Sequence, residues 1–84
     1  MMSRHDLDPI ELTLVRTERV VRICLIYDET SAGGHKDNAL IHIGISQAMP
    51  LLREYYGRKH YFVEGQSVER TGGLVKVILD LSPG

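Results

Sequence analysis

The sequence predicts a small single α+β domain whose elements run strand, strand, helix, strand, strand. Three observations carry this. Val20–Tyr27 (VVRICLIY) and Leu74–Leu81 (LVKVILDL) are apolar runs rich in β-branched residues, as strands are. Between them, Asp37–Gly57 repeats its apolar residues at helical spacing. Polar stretches with Gly33-Gly34 and Gly72-Gly73 separate the periodic segments.

Residues 1–9 are polar and end in Pro9, which predicts a flexible N-terminal arm ahead of a domain over 10–84. Ile10–Val15 reads as a first strand, and Arg16–Arg19 as a polar break. Val20–Tyr27 then completes an antiparallel hairpin that lacks the Asn-Gly signature of a tight turn. Asp28–Lys36 (DETSAGGHK) is the longest irregular stretch, and Gly33-Gly34 offers backbone angles closed to other residues.

In Asp37–Gly57, Ile41, Ile45, Ala48, Leu52 and Tyr55 make one helical stripe, with His42, Ser46, Pro50, Arg53 and Gly57 opposite. Asp37 is placed to cap the start and Gly57 to end the helix. Pro50 removes one backbone hydrogen bond and costs about 3 kcal/mol in a helix interior. On the polar face its freed carbonyl meets water, so a kink there is tolerable. The competing reading makes Leu40–Ile45 a strand and starts a shorter helix near Gln47. The clean segregation of the two faces favours the long helix, kinked at Pro50. His60–Glu64 is then a short strand, Gly65–Gly73 a polar link, Leu74–Leu81 the last strand, and Ser82-Pro83-Gly84 a brief tail.

This order is similar to that of a β-grasp arrangement, in which a sheet curls around one helix. Ubiquitin-like proteins share the order and close on a strand followed by a small-residue tail, and Leu74–Gly84 resembles them in that respect. The tail here is Ser-Pro-Gly rather than Gly-Gly, and the link between the last two strands is shorter. The resemblance implies a protein modifier or carrier that acts through Gly84.

Eighty-four residues allow one modest core, burying roughly 60–65% of the unfolded surface. With one Phe, four Tyr and no Trp, that core is aliphatic. Ten basic and eleven acidic residues leave a net charge of −1, which gives no general attraction to nucleic acid or anionic membranes. Near-neutrality favours self-association, so a homodimer is expected. Cys24 is the only cysteine, which excludes an internal disulfide. No leader-like segment opens MMSRHDLDP, and no apolar run reaches transmembrane length, so the expected compartment is the cytoplasm.

Three segments are candidates for function. Gly33, Gly34, His35 and Lys36 lie between a strand and a helix N-terminus, where free amides and the helix dipole can hold an anion. Neither Gly-x-Gly-x-x-Gly nor a Walker pattern is present, and a plain solvent loop has the same composition. Arg53, Tyr56, Arg58, Lys59 and Tyr61 form a basic-aromatic segment suited to a protein partner, because Tyr and Arg are enriched at binding hot spots. Cations just past a helix C-terminus are also favoured by the dipole alone. Gly84 is the third candidate. His5, His35, His42, His60 and Cys24 show no metal-ligand spacing, Cys24 reads as an inert buried thiol, and no triad can be assembled, so no metal, cofactor or catalytic residue is expected. The leading expectation is a non-enzymatic interaction, inhibitor or adaptor module. A ubiquitin-like modifier and a small anion-binding regulatory domain are the alternatives.

Overall fold

The alternation in VVRICLIYD decides the centre of the molecule. In β2 (Val21–Asp28), Val21, Ile23, Leu25 and Tyr27 are buried, while Arg22 and Asp28 are exposed. β4 (Leu74–Pro83) repeats the pattern with Val75, Val77, Leu79 and Leu81. A computed structural model describes residues 7–57 and 60–83, apart from the side chains of Tyr55 and Tyr56. In it these two strands pair antiparallel through Val21–Leu81 and Leu25–Val77 and form the middle of a four-stranded sheet. β1 (Glu11–Arg16) flanks β2, and β3 (Tyr61–Thr71) flanks β4, giving the order β1-β2-β4-β3 with every neighbour antiparallel. With strands and a helix segregated into layers, this is the predicted α+β class.

A four-residue helix α1 (Glu29–Ala32) follows β2, and α2 (Asp37–Tyr56) is the long helix expected over this segment. It runs unbroken through the exposed Pro50 and ends at Gly57, whose φ of 68° is open to glycine and whose N–H donates to the Arg53 carbonyl. Leu40–Ile45 is helix, not strand. Two details differ from expectation. Asp37 does not cap: Lys36 is the N-cap, and Asp37 is the first helical residue, its carboxylate 3.0 Å from the Arg70 guanidinium. The buried stripe is also rotated, running through Leu40, Ile41, Gly44, Ala48 and Leu52, with Ile45 only half-buried. Gly44 sits over the sheet centre, where a Cβ would lie 3.4 Å from Leu25 and Val77. Glycine, which has no side chain to read as apolar, thus marks a close approach of helix and sheet.

The polar link expected over Gly65–Gly73 is also corrected. Gly65–Thr71 belongs to the 11-residue β3, and only Gly72 and Gly73 form the turn, with φ of 60° and 80°. Both angles lie in the left-handed region demanded by a tight two-residue hairpin. Ser82 and Pro83, read as tail, continue β4 opposite Phe62 and Tyr61. Leu7, inside the stretch read as an arm, is buried and joins the core. Asp28–Lys36 carries a helical turn whose Ala32 is fully buried.

Candidate interaction surface

Tyr27 and Ala32 share one core with the inward rows of β2 and β4, so both helices lie on a single face of the sheet. Among the described residues nothing covers the other face. Antiparallel partners point the same way, so the register gives its rows directly. Thr13, Cys24, Ile78 and Ser67 form one row, and Val15, Arg22, Asp80 and Gly65 the next; Glu11, Ile26, Lys76 and Glu69 form a third. Cys24, Ile26 and Ile78 are half-buried, whereas Val15 is 57% and Phe62 64% exposed.

Arg22 and Asp80 meet at the centre of this face in a two-pronged contact of 2.8 and 3.1 Å. The Asp80 carboxyl is held below its usual range by that hydrogen bond, and the Arg22 guanidinium is held above its own. Gly65 makes room for the pair, since a Cβ there would stand 3.4 Å from Asp80 Oδ2. Ser82 donates to Glu64 at 2.6 Å on the β3 side.

The loop predicted to hold an anion is organised differently. Gly33 takes ordinary helical angles (φ −62°) and donates to the Glu29 carbonyl at 2.7 Å; His35 N–H donates to Ala32 O at 3.0 Å. Glycine is required at position 33 by crowding, because a Cβ would fall 2.5 Å from Glu29 O. Neither Gly33 nor Gly34 has a positive φ, which corrects the backbone reading of this pair. The His35 carbonyl accepts from Arg70 at 2.7 Å, tying the loop to β3. Lys36 is exposed at the start of α2. Asp28 caps α1 by accepting from Thr30 N–H, which lowers its carboxyl below the usual range. Two loop amides are therefore spent inside the fold, and Asp37 adds negative charge beside the rest.

Of the basic-aromatic segment, Arg53 is exposed on the last turn of α2. Arg58, Lys59 and Gly84, and the side chain of Tyr56, lie outside the described residues. Tyr61 points inward and packs against the core, whereas its neighbour Phe62 projects from the outer face. The alternation within HYFVE carried that distinction: where Tyr61 is inward, Phe62 must be outward. Val15 and Thr13 are assigned to the outer face by the same parity.

One polar chain had no sequence signal. Buried Tyr27 donates its hydroxyl to Gln47 Oε1 at 2.5 Å, and Gln47 Nε2 donates to the Leu7 carbonyl. Burial raises the Tyr27 hydroxyl to about 12, so it remains a donor across the physiological range. Among the described residues no three His, Cys, Asp or Glu side chains converge on a common point, and no helix is long and apolar enough to cross a membrane. Comparison with protein families, characterised proteins and solved structures finds no match to this chain.

Proposed function

We propose that the protein is a small non-enzymatic interaction module that docks on other proteins, itself included, through the surfaces its sheet leaves uncovered. The observation that supports this is the one-sided sheet: helices fill one face, while the other presents Val15 and Phe62 around the Arg22–Asp80 pair. An exposed apolar side chain gains about 25 cal/mol for each Å² of its apolar surface that a partner covers. The near-neutral chain adds little electrostatic repulsion between copies. A single cysteine, half-buried on that face, fits a reducing setting such as the cytoplasm.

Analytical ultracentrifugation and affinity capture from the native host test the reading. Concentration-dependent dimers, or a partner whose capture is lost in Phe62→Asp, are expected. A monomer at every concentration, with capture indifferent to Phe62→Asp and Val15→Asp, overturns it.

A further inference from the structure

The two edges of the sheet differ in how they are finished, and one matches itself. β3, the outer strand on one side, is broken by a bulge between Val63 and Gly65 and carries Glu64, Glu69 and Arg70. Bulges and charges are the ordinary protection of an edge against pairing. β1, on the other side, has no proline and pairs in continuous register with β2 from Glu11 to Arg16. Its inward side chains Leu12 and Leu14 are only half-buried, so the core is unfinished along this edge.

The hydrogen-bond parity of β1 follows from its turn. Thr17 N–H donates to Val20 O at 2.8 Å, so Thr17, Val15, Thr13 and Glu11 turn their backbone groups toward β2. Leu12 and Leu14, lying between them, turn theirs outward, where no strand lies among the described residues. Two chains brought together about a two-fold axis through Thr13, perpendicular to the sheet, set Leu12 of each opposite Leu14 of the other. Those are the residues with outward amides and carbonyls, so the Leu12–Leu14 pairs exchange backbone hydrogen bonds. Their side chains meet on the helix-bearing face and extend the core across the junction. Thr13 faces its own copy in the non-hydrogen-bonded position, where opposed side chains come closest, a favourable cross-strand pair. Net charge agrees with direction: Asp8 and Glu11 stand at one end of the strand, and Arg16 and Arg19 outweigh Glu18 at the other, so antiparallel pairing sets an acidic end against a basic one.

We infer that the chain forms a two-fold dimer by pairing β1 edges about Thr13, making one continuous eight-stranded antiparallel sheet. This rests on the interaction reading above and names a second copy as the partner. A six-residue edge spans about 20 Å, which places the contact in the small, exchanging class of interfaces.

The test is sedimentation of the wild type and of Thr13→Lys and Thr13→Glu, each from about 5 µM to 1 mM, bracketing a micromolar dissociation constant. Thr13 is exposed and makes no core contact, so both variants keep the wild-type circular dichroism spectrum. The wild type is expected to dimerise. Each variant alone sets like charges face to face on the axis and should weaken the dimer about tenfold or more, while an equimolar mixture restores it. A wild type that dimerises with Thr13→Lys unaffected, or variants whose mixture stays monomeric, overturns the β1 interface and leaves self-association intact. A wild type that is monomeric to the top concentration overturns both.

Discussion

The molecule consists of two hairpins joined by a helix, and they solve the same problem in opposite ways. The first, β1–β2, is short, and its outer strand turns the apolar Leu12 and Leu14 toward the core. Its turn is closed by a side chain, with Thr17 Oγ1 donating to Val20 O and accepting from Val20 N–H. The second, β3–β4, is longer and polar on its outer strand, closes on two glycines, and is bent by a bulge. Only Tyr61 and Val68 of β3 pack against the core. One outer strand turns two of its six residues to the core and the other two of its eleven, so the second depends more on its long ladder of backbone hydrogen bonds. A strand held by burial leaves apolar surface at its margin, and a strand held by its ladder can carry charge.

The largest expected effects follow from that difference. Leu14→Ala should cost about 2 kcal/mol in urea unfolding, and Val68→Ala about half of that. Equal costs would mean that both edges are held by packing. Tyr27 gives a second contrast of similar size, because it ties the first hairpin to α2 and to Leu7. Its folded-state value lies near 12, above the ordinary value of about 10. The stabilisation is therefore complete below pH 10 and is lost as pH rises toward 12, where the unfolded chain ionises and the folded one does not. The loss should be about 2 kcal/mol. Tyr27→Phe should flatten that alkaline slope while costing about 1 kcal/mol at neutral pH, since Gln47 Oε1 loses its donor. A slope unchanged in Tyr27→Phe would place its origin in another group.

The same contrast explains what the sequence showed. Strands held by burial announce themselves, and VVRICLIY and LVKVILDL were legible at once, as was a helix ending at Gly57. β3 beyond Glu64 was not, because GQSVERT has a single apolar residue turned to the core. Backbone pairing leaves no hydrophobic period to read. The rotated helix face has a related cause: Gly44 is buried because it is small, and an apolar count passes over it. Gly33-Gly34 and Gly72-Gly73 look alike in sequence, yet only the second pair needs a positive φ. Outward residues such as Phe62 and Val15 were recoverable from strand parity, whereas the Tyr27–Gln47–Leu7 chain joins residues far apart in sequence and left no local trace.

The turns provide an intermediate effect. Gly73 holds φ at 80°, where an added Cβ is strained, so Gly73→Ala should cost about 1–2 kcal/mol. Arg19→Ala, in the exposed turn of the first hairpin, should stay within about 0.5 kcal/mol of wild type. If Arg19→Ala proves the costlier change, the first hairpin depends on its turn as much as the second does.

The smallest effect is expected where the hairpins meet. Arg22 and Asp80 are register partners on the two central strands, and their side chains form a charged link between the hairpins on the outer face. The backbone ladder between β2 and β4 already fixes that geometry, and water screens so exposed a pair, so its deletion should register only weakly. The sign is nevertheless defined. Asp80 is held below its ordinary value, so the contribution is present above that value and disappears as pH falls through the lowered one. A double-mutant cycle of Arg22→Ala and Asp80→Ala should therefore show a small coupling at neutral pH that shrinks with added salt and with acid. A coupling indifferent to both would mean that Arg22 acts through the apolar stem of its side chain rather than its charge.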